Sequence, residues 1–253
     1  ISQNGSCLWR GPWSSSCGAH LVLRVQGELE SDGQGGAFFC CTIESPVLIL
    51  PPLPPISPGF ASKEILRLRM TAERRAAAKA RPDAGLHAAR VFMDHAPIPE
   101  NAIVSLYHPM RDELDTKPLA QALLDRGFQI ALPVTPKKRG PLTFRAFRDG
   151  DPLNTDRYGV MTPLEDAPTV RPMLIVTPLL AFTRDGGRLG YGGGYYDRTL
   201  AALRAETDIL AVGFAFAAQE VEKLPMSKTD QRLDWIVTER EAIEARGWKE
   251  SLR

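Results

Sequence analysis

The run Asp185-Gly-Gly-Arg-Leu-Gly-Tyr-Gly-Gly-Gly-Tyr-Tyr-Asp-Arg198 gathers glycines, two arginines and flanking acids in one short segment. Glycines remove side-chain bulk, so backbone N–H groups can approach phosphate oxygens. A helix beginning straight after them adds partial positive charge. Arg188 and Arg198 offer charge-assisted hydrogen bonds to the same anion. The spacing is neither standard nucleotide fingerprint, for it lacks both a Gly-Lys-Ser/Thr ending and a G-x-G-x-x-G pattern. A tight turn between two elements is the alternative reading, and it leaves the arginines and acids around the glycines unexplained.

Three other segments carry groups of the same kind. Lys63 and Arg67 are four residues apart in a run also holding Arg74, Arg75, Lys79 and Arg81. On a helix the first two stand one turn apart and can grip one polyphosphate, or can simply form a solvated basic face. In Tyr107-His-Pro-Met-Arg-Asp-Glu-Leu-Asp-Thr116, the acids Asp112, Glu113 and Asp115 suit hydrogen bonding to a ligand's amino groups, proton transfer, or capping of a following helix. In Asp230-Gln-Arg-Leu-Asp234, paired acids suit Mg²⁺, which binds through one or two carboxylates plus phosphates, or serve as turn residues. Of the four histidines only His108 falls in such a loop. All four cysteines, Cys7, Cys17, Cys40 and Cys41, precede these segments, so no thiol nucleophile, disulfide or zinc set is expected among them.

The elements that would position these residues alternate between helix and strand. Helices are expected from Ser62, as N-cap, through Ala80, over Ala84–His95, Thr116–Arg126 and Tyr195–Ala205, and again from Glu239. Strands are expected at Ala102–Tyr107, Phe128–Leu132 (ended by Pro133), Leu142–Phe147, Met173–Thr177, Ile209–Phe214 and Trp235–Thr238. This order implies an α/β fold: a mostly parallel sheet with helices on both faces, in a single domain over residues 60–253. Ligands of such sheets sit beyond the carboxyl ends of the strands, which points to the loops after Tyr107, Thr177 and Phe214. Residues 1–59 show no sustained period and end in a proline-rich run from Pro46 to Pro58. They are read as a disordered or non-native, irregular extension.

Together the motif-bearing segments resemble the 5-formyltetrahydrofolate cyclo-ligase family, also called methenyltetrahydrofolate synthetases. The likeness runs from about Lys63 to about Glu241, and Arg188-Leu-Gly-Tyr-Gly-Gly-Gly-Tyr-Tyr-Asp197 carries it most specifically. The Lys63-to-Arg67 spacing, Glu113-Leu-Asp-Thr116 and Asp230–Thr238 follow in the family's order. The resemblance implies an ATP site made of Lys63, Glu64, Ile65, Leu66 and Arg67 with Arg188, Leu189, Gly190, Tyr191, Gly192, Gly193, Gly194, Tyr195 and Tyr196. It implies Asp197 and Asp230 as Mg²⁺ ligands, and His108 and Glu113 as folate contacts, with Tyr191 through Tyr195 near both ligands. Arg188 and Tyr195 take catalytic roles in it. Two positions depart from the pattern. His108 stands where the family often has an apolar residue, and Tyr191 and Gly193 hold positions usually given to lysine or arginine.

The reaction so implied is ATP-dependent closure of 5-formyltetrahydrofolate to 5,10-methenyltetrahydrofolate. Phosphorylation of the formyl oxygen makes it a good leaving group, and the neighbouring bridging nitrogen attacks the activated carbon. That attack is intramolecular, an advantage on the order of 7–11 kcal/mol. The protein's task is positioning and charge screening. A sugar-phosphate isomerase on a similar sheet, or a folate- or nucleotide-binding module, are the competing readings.

The bulk numbers agree. The 253 residues are 43% hydrophobic and 24% charged with a net charge of +1, enough for a sizeable core and too neutral for nucleic acid or an anionic membrane as main partner. No apolar run approaches the roughly 18 residues of a membrane span. A cytoplasmic monomer with a reduced folate as its partner is expected.

Overall fold

The computed structural model describes residues 25–31, 37–43 and 63–245. The chain divides into two compact units, Ile1–Ile56 and Ser57–Arg253. In the first, β1 (Val25–Ser31) and β2 (Ala37–Ile43) pair antiparallel, Val25 opposite Ile43 and Ser31 opposite Ala37. The proline run, Cys7, Cys17 and the expected cap Ser62 lie outside the described residues.

The second unit opens with α1 (Lys63–Ala80) and α2 (Ala84–His95), the latter with the bounds its sequence implies. Then follow β3 (Ile103–Ser105), α3 (Lys117–Asp125), β4 (Gln129–Val134), β5 (Thr143–Phe147), β6 (Leu153–Thr155), β7 (Met161–Pro163), β8 (Thr169–Val170) and β9 (Leu174–Thr177). After these come β10 (Ala181–Phe182), β11 (Arg188–Leu189), α4 (Tyr195–Arg204), β12 (Leu210–Phe214), β13 (Trp235–Val237) and β14 (Ala242–Glu244). One eight-stranded sheet has the order β14-β13-β12-β9-β3-β4-β5-β8. From β13 to β4 neighbouring strands are parallel, while β14, β5 and β8 join antiparallel at the flanks. β6 with β7 and β10 with β11 form two further short pairs. Among the described residues no helix is long and apolar enough to cross a membrane.

The parallel strands are buried on both faces, and their side chains alternate between two cores. Leu174, Val176, Leu210, Val212 and Val237 join a cluster with Phe92 of α2 and Leu119 and Leu123 of α3. Ile175, Ala211 and Ile236 turn the other way and meet Leu200 of α4 and Phe182. Helices therefore cover both faces, as the alternation of elements implies. α1 sets Leu66 and Met70 against Leu180, Ala181 and Leu189, which anchors it beside the β10–β11 pair.

Two expectations are corrected. Pro133 does not end its strand: it pairs opposite Phe144, and β4 runs on to Val134. β3 pairs with β4 only as far as Ser105 opposite Ala131, so beyond that register β4 is laddered on one side, and a residue without an N–H is tolerated. No helix forms from Glu239 through Ala245, and residues beyond 245 lie outside the described ones. Thr238 Oγ1 accepts the N–H groups of Arg240 and Glu241, closing a turn that returns the chain as β14 alongside β13 and buries Ile243. Helix propensity here is a weak prior that strand pairing overrides.

One contact ties the fold to the loop before α3. Gly85 of α2 packs so closely that a Cβ there would stand 2.6 Å from the carbonyl oxygen of Asp115. Gly85→Ala should raise local helix propensity by about 1 kcal/mol, yet is expected to destabilise the protein by about 1–3 kcal/mol through overpacking. Urea unfolding of the two proteins checks this, and an unchanged or raised midpoint would contradict it.

Candidate active site

The glycine segment starts on a strand and ends on a helix. β10 and β11 pair Ala181 with Leu189 and Phe182 with Arg188, which buries the Arg188 side chain at the start of the loop. Arg188 Nη2 donates to Asp197 Oδ1 at 2.9 Å, and its Cζ lies 5.5 Å from the Tyr196 ring centroid. Asp197 Oδ1 also accepts the Gln231 N–H at 3.1 Å, drawing the segment around Asp230 to the first turn of α4. Between them the chain turns through Gly192 (φ +99°) and Gly194 (φ +63°), conformations that L side chains rarely adopt. Gly194 is the N-cap of α4 and makes no side-chain cap bond, so the first-turn N–H groups of the helix are available to an anion.

Arginines from elsewhere hold this loop. Arg67 Nε donates to the Gly190 carbonyl and Arg198 Nη2 to the Gly193 carbonyl, both at 2.9 Å. Arg74 Nη2 donates to Tyr191 Oη. The loop borders a cavity of about 1480 Å³ whose walls carry nine lysines and arginines against three carboxylates, Glu113, Asp197 and Asp230. At one end Lys63 Nζ donates to Asp230 Oδ2, which also accepts the Ser227 N–H at 2.7 Å. Burial raises the Asp230 carboxyl, but the hydrogen bonds from Lys63 and Ser227 outweigh it and hold the group below the usual range.

The loop after β3 supplies the opposite wall. Tyr107 Oη donates to the Leu114 carbonyl and Thr116 Oγ1 to the Tyr107 carbonyl, both at 2.8 Å, folding residues 107–116 on themselves. Glu113 Oε2 accepts the Met110 N–H at 2.9 Å, and the turn passes Arg111 at φ +53°. The Glu113 side chain is only 7% exposed, and Arg74 Nη1 stands 3.6 Å from its Oε1, an ion-pair distance too long for a hydrogen bond. Burial pushes the Glu113 carboxyl up, against the opposing pull of Met110, Arg74 and Arg111. His108 and Glu113 both line the large cavity. Asp112 instead pairs with Arg75 at 3.3 Å, and Asp115 Oδ1 accepts the Lys117 N–H at 3.0 Å, capping α3.

Of the run from Lys63 to Arg67, Lys63 and Arg67 reach the cavity. Leu66 is buried in the α1 core contact, and Glu64 and Ile65 are on the exposed side of the helix. Leu189, Gly190, Tyr191, Gly192, Gly193, Gly194, Tyr195 and Tyr196 all line the cavity with Arg188, Asp197 and Asp230. The Tyr196 hydroxyl is pushed up by burial and by Glu113. Of the three loops expected to bear the site, those after Tyr107 and Thr177 contribute His108 and Pro178, whereas Phe216, beyond Phe214, lines a separate small cavity.

Sequence reasoning missed Arg157 and Tyr158, which come from the turn between β6 and β7. Tyr158 Oη is 2.8 Å from Tyr195 Oη, and Arg157 Nη2 donates to the same oxygen at 3.3 Å. The hydrogen bonds from Tyr158 and Arg157 draw the Tyr195 hydroxyl below its usual range. Asp156-Arg-Tyr-Gly159 reads as a turn, but no spacing tells which loop it will face.

The donor set suits a nucleoside triphosphate with a divalent ion. Arg188 Nε is buried without a hydrogen-bond partner, an available donor beside the loop. Among the described residues no group of three or more His, Cys, Asp or Glu can hold a metal alone. Asp197 and Asp230 therefore fit an ion such as Mg²⁺ that takes its remaining ligands from phosphates and water.

Residues 60–239 match the profile of the 5-formyltetrahydrofolate cyclo-ligase family. The chain is 36% identical over 159 residues to the 5-formyltetrahydrofolate cyclo-ligase of Escherichia coli (strain K12), covering 61% of this chain and 87% of that one. It is 34% identical over 132 residues to the enzyme of the same name from Haemophilus influenzae, covering 50% and 70%. The NMR structure of Aquifex aeolicus 5,10-methenyltetrahydrofolate synthetase superposes with a TM-score of 0.61 at 27% identity, over 73% of this chain and 93% of that one.

Two outcomes are expected. At Gly192 a Cβ would meet Arg67 Cζ at 3.3 Å in a left-handed backbone, so Gly192→Ala should weaken binding of a non-hydrolysable ATP analogue by about tenfold, of the order of one strained residue. Unchanged calorimetric affinity would return the loop to a plain turn. The second concerns Glu113. A carboxyl raised in the folded state favours folding when protonated, so its contribution is full below the unfolded carboxylate range and is lost as pH rises through the folded value. The stability of Glu113→Gln relative to the parent should therefore climb between pH 4 and pH 7, as read by denaturant unfolding; a flat difference would contradict it.

Proposed function

Because the chain belongs to the 5-formyltetrahydrofolate cyclo-ligase family, we propose that it is an enzyme that closes 5-formyltetrahydrofolate to 5,10-methenyltetrahydrofolate with ATP and Mg²⁺, releasing ADP and phosphate. One observation carries the reading: the arginine-held glycine loop, Lys63, Arg67 and the acids Asp197 and Asp230 line the same cavity as His108 and Glu113. An anion site and a carboxylate able to accept ring N–H groups face one space, as transfer of a phosphoryl group onto a folate oxygen requires. The reading takes a single copy acting in the cytoplasm, with a reduced folate as its partner and neither nucleic acid nor membrane.

In it, ATP supplies the phosphoryl group that turns the formyl oxygen into a leaving phosphate, and Mg²⁺ supplies charge screening. The chain's residues do the rest. Amide N–H groups of Gly192 through Tyr196 and the guanidiniums of Arg67 and Arg188 bind phosphate oxygens. Lys63 adds a compact point charge at the helix start. Glu113, oriented by the Met110 N–H, accepts hydrogen bonds from the amino-bearing ring, and His108 flanks it. Tyr195, its hydroxyl fixed by Tyr158 and Arg157, orients the substrate across the loop, while Arg188 stabilises charge on the transferring group. Asp197 and Asp230 are the side chains that would hold Mg²⁺.

The test is ATP-dependent appearance of methenyltetrahydrofolate absorbance from the formyl compound, run on the parent, Asp197→Asn, Asp230→Asn and the double variant across a magnesium titration. Each single change should cost about tenfold or more in turnover, with partial recovery at high magnesium. The double variant should lose less than the product of the two losses, because both acids serve one ion. Absorbance that ignores ATP would sink the reaction; strictly multiplicative losses without magnesium rescue would sink the shared-ion assignment.

A further inference from the structure

α1 lays a stripe of cations along the glycine loop. Lys63, Arg67 and Arg74 recur at four- and seven-residue spacing, so they share one face of the helix. Lys63 meets Asp230 and Arg67 meets the Gly190 carbonyl, as described above. Arg74 goes deeper and is only 1% exposed. Its guanidinium lies between two walls of the cavity. On one side Nη1 is 3.6 Å from Glu113 Oε1; on the other Nη2 donates to Tyr191 Oη, with Cζ 5.4 Å from that ring's centroid.

The arrangement is costly, which argues that it is kept for position. A buried guanidinium is normally saturated with partners, because an unpaired buried donor loses its hydration without compensation. Here Nε and Nη1 make no hydrogen bond. Tyr191 is half exposed, so it does not need a buried partner for its own hydroxyl. The bond to Arg74 instead fixes the residue preceding Gly192, where the backbone turns left-handed.

We propose that Arg74 is a positioning residue that sets both ligand sites at once, holding Glu113 for the folate and, through Tyr191, the glycine loop for the nucleotide. The proposal rests on the reaction read above. Glu113 is faced by Arg74 from α1, by Arg111, the Met110 N–H and Tyr107 from its own loop, and by Tyr191 and Tyr196 from the glycine segment and α4. Of the two cations, Arg74 is the one with a hydrogen bond to the glycine loop among the described residues, Arg111 acting on Tyr191 only through space. Removal of Arg74 therefore breaks a contact to each site, whereas loss of the Tyr191 hydroxyl breaks the hydrogen bond to the loop and leaves the Arg74–Glu113 pair.

The experiment is a mutant cycle of the full chain: parent, Arg74→Met, Tyr191→Phe and the double variant, with Arg74→Lys beside them. Affinity for a non-hydrolysable ATP analogue is measured by calorimetry, and the folate KM from initial rates. Tyr191→Phe should weaken analogue binding about fivefold, the effect of one hydrogen bond, and raise the folate KM clearly less than Arg74→Met does. Arg74→Met should weaken analogue binding equally and raise the folate KM about tenfold or more. The double variant should bind the analogue no worse than either single one, since both changes break the same link. Arg74→Lys keeps the charge but not the fork, so it should copy Tyr191→Phe. The acid limb of the folate kcat/KM profile should move to higher pH in Arg74→Met and stay in place in Arg74→Lys, a split that a purely structural role does not produce.

If Arg74→Met does not fold, Arg74→Lys and Tyr191→Phe with their double variant form the same cycle. Multiplicative losses in analogue affinity, or a fall in kcat with neither binding constant moved, would overturn the proposal. A parent protein that binds the analogue but turns over no formyl compound would overturn the reaction instead, leaving the Arg74–Tyr191 link to be judged by calorimetry.

Discussion

Three consecutive glycines have no side chains with which to hold their own shape, and the active site depends on solving that problem. The solution is borrowed guanidinium groups. Arg67 and Arg74 come from α1, Arg188 from β11 and Arg198 from α4, and each fixes a different point on or beside the loop. Hydrogen bonds to charged donors contribute roughly 1.5–3 kcal/mol each in mutational series, about twice the neutral kind. Several such bonds on one short segment can offset the high backbone entropy of glycine. In the proposed site the same cations that hold the loop would also attract the phosphates. Structure and electrostatics are thus not separable here: Arg67 stands against Gly192 and Arg198 against Gly194.

That arrangement explains which parts of the site were legible in the sequence. The glycine run and the Lys63–Arg67 spacing are local patterns whose chemistry follows from residue type, and both reach the cavity. Glu113 is legible as an acid in a loop, though nothing local separates it from Asp112 and Asp115. Only the fold of residues 107–116 decides that Glu113 turns inward, Asp112 meets Arg75 and Asp115 caps α3. Arg74 looks in sequence like one more residue of a basic face, and its burial depends on α1 docking against the β10–β11 pair. Arg157 and Tyr158 lie in a turn whose partner is almost forty residues away, a separation no periodicity reports.

The fold follows the same division. Helices with strong periodic faces and proline stops, such as α2, appear with the bounds their sequence implies. Strands buried on both faces, such as β9 and β12, stand out as apolar runs and begin one residue later than those runs do. The segment from Glu239 misled because its charged and alanine residues favour a helix in isolation. Pairing with β13, the Thr238 turn and burial of Ile243 outweigh that preference.

The early stop of β3 has an architectural consequence. Its pairing ends at Ser105 while β4 continues through Pro133 to Val134, and β9 ends at Thr177. Residues just past those stops, Tyr107, His108 and Pro178, form the cavity wall together with Pro133 and Thr135. The unequal strand ends thus lie along one side of the space, whose other sides come from α1, the glycine loop and the β6–β7 turn. Its room therefore depends on where β3, β4 and β9 end as well as on the side chains that line it.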